Sequence, residues 1–201
     1  MDAIAAFVRE VGRQISDWER KSDEVDSLII KHSCIGGAAG LMPFPAIDNI
    51  IMLGNQMLMY RNINSVLGVS LAKDTLKVLG VFMLSQAAGM VSVFGLALAG
   101  KFLGGLLKAT LVCVPVAMVI DGAVNAGITY VLGVVYARAL VGIIKDGKQP
   151  TEAGLKEAMR RAFQDKDEIR RIYEEGRAAI RGKNFPEYKK DAEDAKHHAE
   201  S

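Results

Sequence analysis

The feature that most constrains this chain is the uneven placement of its charged side chains. The stretch from 34 to 144 holds only nine of the chain's 25 basic and 23 acidic residues, and it is rich in glycine. Such a region avoids water, so it forms a protein core or a membrane segment. We expect an all-α fold: a glycine-rich hydrophobic helical bundle or set of hairpins, inserted in a membrane and flanked by two amphipathic helices. The expected boundaries are 1–32, 33–145 and 146–201.

Charge and cysteine content exclude several classes of protein. A net charge of +2 is too small to indicate a nucleic-acid partner. The two cysteines, Cys34 and Cys113, lie in apolar sequence without the CxxC or Cys/His spacing of a zinc site. We therefore expect buried free thiols, and neither a metal nor a cofactor.

Both flanks carry an apolar stripe at helical spacing. Helices are predicted over 3–31 and 152–181, each with a stripe whose members alternate four and three positions apart, which indicates packing against another helix. The acidic excess of the first helix makes an anionic membrane surface a poorer partner. The partner is either a second copy, which predicts a homo-oligomer, or the other flank, in a stalk outside the membrane. The candidate contacts are Val11, Ile15, Trp18, Val25, Ile169 and Tyr173.

The apolar middle begins with a hairpin signal. Pro43 and Pro45 end the first apolar segment, because each lacks an amide hydrogen and restricts the residue before it. Asp48 follows as a candidate capping residue for the next helix. Because both limbs are short, residues 34–60 are predicted to form a helical hairpin or re-entrant element.

Further helices follow in the apolar middle. One is predicted over 49–67, with Gly68 as its left-handed stop. Another starts near Ser70 and leads into Val78–Gly100, where 23 residues carry no charge. About 20 apolar residues span a bilayer core, so this run is long enough to cross, although glycines divide it. The last apolar helix is predicted over 109–144.

One segment resembles a nucleotide-binding motif but lacks the hydroxyl residue that would hold magnesium. Gly95, Gly100 and Lys101 have the spacing of a phosphate-binding loop. Phe102 stands where a serine or threonine hydroxyl would hold magnesium, and the alternation of strands and helices is absent. No catalytic triad, carboxylate pair or metal cluster stands out either. The chain is therefore not predicted to be an enzyme.

Two acidic residues within apolar sequence are candidates for a polar network or an ion path. A buried carboxylate is unfavourable unless it is paired or neutral. Asp48 is explained by helix capping or by such a path. Asp121, with Asn125 one turn later, is explained by structural pairing or by a transport role.

A set of spaced residues in the middle resembles a known family. The residues are Pro43, Pro45, Asp48, Gln56, Met59 and Gly68, followed downstream by Asn125, Gly127, Tyr130 and Gly133. This pattern resembles the YcjF-type domain of unknown function, an apolar helical module of bacteria that is often fused to GTPases or encoded beside them. The similarity covers about residues 33–145, and Leu67 departs from it where the family usually has tyrosine. The resemblance implies membrane association and a GTPase partner acting in trans, and no catalytic residues. The EcsC-like proteins are less similar.

Three functions are compatible with these patterns. The first is a non-enzymatic membrane protein that assembles with itself or serves as the membrane-bound partner of a GTPase. The second is an oligomeric channel or transporter with Asp121 and Asn125 on the path. The third is a soluble all-α protein that binds a lipid. We expect the first, located in the cytoplasmic membrane with both termini on the cytoplasmic side.

Overall fold

The structure, a computed structural model, describes residues 2–41, 45–90 and 113–200. Side chains are described for 17–41, 50–86 and 122–199. Pro43, the loop-like sequence Gly95–Lys101 and the part of Val78–Gly100 from 91 onward therefore lie outside the described residues, as do the side chains of Pro45, Asp48 and Asp121.

Every regular element in the described ranges is helical, so the all-α expectation is confirmed. Seven α-helices and one 3₁₀ helix are present within those ranges. They are α1 (Asp2–Ala39), α2 (Pro45–Leu67), α3 (Lys73–Met90), α4 (Cys113–Lys145), α5 (Glu152–Gln164), α6 (Lys166–Ala179), the 3₁₀ helix (Phe185–Tyr188) and α7 (Lys189–Glu200).

Helix α4 is the centre of the bundle. It packs against α1 along its length and also against α2, α5 and α6. Its buried side chains, such as Leu132 and Leu140, join one large apolar cluster with residues from α1, α2, α3, α5 and α6. Burial on several sides explains why α4 is apolar around most of its circumference.

Helix α1 is longer than the sequence pattern predicted. It was expected to end near Lys31, but it continues to Ala39 through two glycines. A Cβ atom at Gly36 would overlap the Thr129 side chain of α4, and one at Gly37 would lie 2.9 Å from the Phe185 ring. The glycines therefore allow close packing here and do not end the helix.

Helix α2 begins earlier than expected and ends where expected. It starts at Pro45, a residue that the first helical turn tolerates, so Asp48 lies inside the helix and not at its N-cap. Gly68 has a φ of 71°, and the Val69 amide donates to the Asn64 carbonyl at 2.8 Å. This is the left-handed stop that the sequence predicted.

The C-terminal amphipathic region is two helices and not one. Thr151 caps α5 by accepting a hydrogen bond from the Gly154 amide at 3.2 Å. Asp165 then interrupts the predicted helix over 152–181, because its side chain accepts from the Glu168 amide at 3.0 Å and starts α6. The stripe continues across this break, with Ile169 and Tyr173 buried on α6.

The predicted stalk between the two flanks is not present in the described residues. Helix α6 packs on α4, and the second half of α1 packs on α4 as well. The C-terminal tail instead forms α7, which lies along α2 and buries Ala192, Ala195 and Ala199. The helix packs here because three small apolar residues share one of its faces.

Candidate functional site

Two of the motif residues, Met59 and Gly133, meet where α2 crosses α4. Gln56 and Met59 of α2 are fully buried. A Cβ atom at Gly133 of α4 would lie 2.9 Å from the Met59 sulfur and 3.0 Å from Ile29 of α1. Gly133 therefore provides the space in which three helices approach one another.

Two more motif residues of α4, Gly127 and Tyr130, form a reciprocal contact with α6. A Cβ atom at Gly127 would lie 2.5 Å from the Tyr173 ring, and one at Gly176 would lie 2.5 Å from the Tyr130 ring. Each tyrosine thus packs over a glycine of the opposite helix. Tyr173 was a candidate partner contact, but it is buried inside its own chain.

A polar network that the sequence pattern missed joins α1 to α2. His32 is 3% exposed, and its Nδ1 lies 2.7 Å from the Asn55 side-chain oxygen. The Asn55 amide nitrogen donates back to the His32 carbonyl at 2.9 Å. The Asn62 amide nitrogen lies 3.1 Å from His32 Nε2. A proton on Nδ1 and none on Nε2 satisfies every one of these contacts.

Burial of this network favours the neutral form of His32. Burial lowers the pKa of the imidazole, and the hydrogen bond with Asn55 offsets the shift only in part. A second proton on Nε2 would face the Asn62 amide hydrogens, which are also donors. The arrangement fixes the packing of α1 on α2.

Two stacked tyrosines lie deeper in the same interface. The rings of Tyr60 and Tyr136 are 4.0 Å apart between centroids, with an interplanar angle of 19°. The Tyr136 hydroxyl donates to the Asn64 side-chain oxygen at 2.6 Å. Within the described part of the chain, the Tyr60 hydroxyl, the Gln56 amide and the Asn64 amide nitrogen are buried without a hydrogen-bond partner.

The two acidic candidates lie on different helices, Asp48 on α2 and Asp121 on α4. Asp121 and Asn125 lie one turn apart on α4. Asn125 is partly buried, and its carbonyl accepts from the Thr129 hydroxyl at 2.8 Å. An ion path through these residues stays a prediction, as does any path through Asp48.

An apolar surface lies on the outer side of α3. Val78 is 38% exposed and Val81 is 53% exposed, one helical turn apart. Ser85, one turn further along, donates its hydroxyl to the Phe82 carbonyl at 2.6 Å and so presents no free polar hydrogen. We call Val78, Val81 and Ser85 the outer face of α3.

The N-terminal stripe divides into a buried and an exposed part. Val25 and Ile29 belong to the main apolar cluster of this chain, so they are core contacts. Trp18 is 41% exposed, and its ring lies 6.0 Å from the Lys145 ammonium at the end of α4. Val11 and Ile15 precede this point on α1, and their side chains lie outside the described residues.

One helix among the described residues is long and apolar enough to cross a membrane. It is the Gly122–Lys145 part of α4, with a mean hydropathy of 1.8 over its most apolar window, 61% of which is buried in the bundle. A buried core helix satisfies the same criteria, so this finding suggests a membrane only weakly.

The described residues hold no group of three His, Cys, Asp or Glu side chains that could bind a metal ion. Cys34 is a free, buried thiol, and burial raises its pKa. The expectation of a buried free thiol is confirmed for Cys34.

No family model, curated protein or solved structure matches the chain. The YcjF-type resemblance therefore stays a prediction that rests on the quoted residues.

Proposed function

We propose that this chain is a non-enzymatic, membrane-associated protein that contacts the bilayer through α3 and the residues that follow it. The observation that carries the proposal is the outer face of α3, where Val78 and Val81 are exposed. The sequence continues from this face to Gly100 without a charged residue. An exposed apolar face that leads into an uncharged segment favours contact with lipid.

Helix α4 is a poorer candidate for that contact. Its apolar surface is covered by α1, α2, α5 and α6, so burial within the bundle already accounts for its composition. Helix α3 has fewer neighbours, because it packs mainly on α2 and α5.

Fractionation of expressing cells tests this proposal. We expect the wild-type chain to stay with membranes after a sodium carbonate wash, and a Val78→Asp/Val81→Asp variant to be released. Each aspartate would add about 2.5 to 3.5 kcal/mol to the free energy of insertion if it lies at the centre of the membrane. Ile50→Asp is the matched control, because Ile50 is 37% exposed on a different helix.

The two possible failures have different meanings. Release of the wild-type chain by carbonate would overturn the proposal. Retention of the double variant beside a retained wild type would show that α3 is not the contacting helix.

The exposed ring of Trp18 supports an assembly role beside membrane contact. Trp18 lies beside Lys145, at the C-terminal end of α4, and α1 extends from Trp18 back to Asp2. We therefore assign Val11 and Ile15 to contact with a second copy or with a GTPase partner. Ile15→Asp should reduce the mass of the purified assembly in light scattering, whereas Ser16→Asp should not. An unchanged mass in both variants would refute this assignment.

A further inference from the structure

The tail helix α7 is apolar on one narrow face only. Nine of its twelve residues are charged or are histidine, and the other three are Ala192, Ala195 and Ala199. These alanines are the buried side chains among those that the structure describes in α7. The side chains that α7 buries are therefore methyl groups.

The contact between α7 and α2 is close but weak. A Cβ atom at Gly54 would overlap the Ala195 carbonyl oxygen and lie 3.3 Å from the Ala199 amide nitrogen, so the backbone of α7 lies directly on α2. A buried methyl group stabilises a contact much less than a buried leucine or valine side chain does. A helix of twelve residues is also only marginally stable by itself. Little free energy therefore holds α7 in place.

The surface under α7 is apolar. Ile35 of α1 and Ile51 and Met52 of α2 form one buried cluster with the alanines of α7, and Leu58 packs against this cluster. Residues 33–60, which include the end of α1 and most of α2, carry a single charged residue. A polar helix thus covers one side of an almost uncharged pair of helices.

The segment just before α7 is attached by larger side chains. A Cβ atom at Gly37 of α1 would lie 2.9 Å from the Phe185 ring. Phe185 and Tyr188 of the 3₁₀ helix both pack against a buried cluster that contains Cys34. Because α7 begins directly after this 3₁₀ helix, it can leave α2 while the 3₁₀ helix stays bound.

We propose that α7 is a displaceable cover, and that the surface it leaves on α1 and α2 binds a lipid bilayer. Hydrocarbon needs no complementary charge, and residues 33–60 offer almost none by which a protein partner would be oriented. The charged side chains of α7 stay in water in both states. The inference rests on the proposed membrane association and adds a second contacting surface to the outer face of α3.

Release of α7 leaves the buried polar network intact. The hydrogen bonds of His32 with Asn55 join α1 to α2 and do not involve α7. Helices α1 and α2 therefore stay paired when the cover leaves, and only apolar surface becomes accessible.

Flotation of the purified full chain with phosphatidylcholine vesicles, after dilution from a maltoside detergent, tests the proposal. Gly54→Ala disturbs the contact from α2 with one methyl group, and Ala195→Glu disturbs it from α7 with a carboxylate. Each variant should raise the vesicle partition coefficient about tenfold, because overpacking of this size shifts an equilibrium by about one such factor. Vesicles without net charge keep the added carboxylate from being repelled.

Each variant has a matched control. Gly142→Ala adds a methyl group where a Cβ atom would have no neighbour within 4 Å, so binding should stay at the wild-type level. His197→Glu adds a carboxylate at an exposed position of α7, and it should also leave binding unchanged.

A double variant separates uncovering from misfolding. Leu58 lies four residues after Gly54, on the same face of α2. In Gly54→Ala/Leu58→Asp the uncovered surface carries a charge that hydrocarbon disfavours, so binding should return to the wild-type level. A chain that adheres to vesicles because it is misfolded would keep its raised binding.

The outcomes distinguish this surface from the outer face of α3. Raised binding of Gly54→Ala that Leu58→Asp removes supports the cover, also where the wild-type chain does not bind, in which case contact through α3 is overturned. Binding of Gly54→Ala and Ala195→Glu at the wild-type level overturns the cover and leaves the proposed contact through α3 standing. Raised binding that survives Leu58→Asp overturns the cover as well.

Discussion

The stacked tyrosines allow a sharp test of the buried interface, because the two hydroxyls have different surroundings. The Tyr136 hydroxyl donates to Asn64 at 2.6 Å, whereas the Tyr60 hydroxyl is buried with no partner among the described residues. Replacing either tyrosine by phenylalanine keeps the ring, the stacking and most of the buried apolar area. The two variants therefore differ mainly in the hydrogen bond that is removed.

The magnitudes follow from that difference. Tyr136→Phe leaves the Asn64 side chain with neither of its polar atoms bonded, and a buried unsatisfied group costs about 1 to 3 kcal/mol. Tyr60→Phe removes a buried hydroxyl that already lacks a partner, so it should be neutral or should stabilise the fold.

Chemical unfolding of the purified full chain measures both variants under the same conditions. The Tyr136→Phe midpoint should fall and the Tyr60→Phe midpoint should stay level or rise. Equal losses in the two variants, or a larger loss for Tyr60→Phe, would refute the hydrogen-bond assignment.

Two further predictions concern the tail helix and the buried histidine. A Cβ atom at Gly54 would overlap the Ala195 carbonyl oxygen and lie 2.8 Å from its carbon, so Gly54→Ala should displace α7 and speed hydrogen exchange over 189–200. Gly142→Ala is the control, because a Cβ atom at Gly142 would have no neighbour within 4 Å. It should leave hydrogen exchange in α7 unchanged and stabilise α4 by about 0.5 to 1 kcal/mol. Equal exchange rates of α7 in the two variants would contradict the packing of α7 on Gly54. Because the pKa of His32 is lowered from 6.5, the unfolded chain binds a proton that the folded chain does not, and stability should fall as the pH drops below that value. His32→Gln should flatten this slope between about pH 7.5 and pH 5, as unfolding curves at each pH would show; an unchanged slope in His32→Gln would contradict it.

The parts of the fold that local chemistry determines could be predicted from the sequence. Gly68 adopts the left-handed conformation expected of a glycine after an apolar helix, and Thr151 caps α5 with its own hydroxyl. The long apolar helix before Lys145 was also expected, because Asp121 and Arg138 are the only charged residues between Cys113 and Ile144. These features depend on residues within a few positions of one another.

Features that depend on a distant contact could not be predicted in this way. Asp165 looks like any exposed polar residue of an amphipathic helix, yet its side chain ends one helix and starts another. The tail carries no large apolar residue on its buried face, and Ala195 is buried only because Gly54 leaves room for it. A glycine on one element and spaced alanines on another are the signals that could have indicated this contact.

The candidate site shows the same limit. His32 reads as a lone histidine near the end of a predicted helix, and its partners are on the next helix. Asn55 and Asn62 are seven residues apart, so they lie on one face of α2. Two amides on the same face of α2 were the available signal, and they indicate a polar partner on the element that packs there.

The buried polar groups also restrict which helices can meet a membrane. The described side chains bury His32, Ser33, Asn55, Gln56, Asn64 and Thr129, all on α1, α2 and α4. Separating any of these helices from the bundle would expose such groups to hydrocarbon, at a cost of several kcal/mol for each one left unpaired. Helix α3 contributes no buried polar side chain to this set, and its exposed valines already face outward. We infer that α1, α2 and α4 stay together as one packed unit, and that α3, through its exposed valines, can contact lipid without breaking an interaction of these buried polar groups.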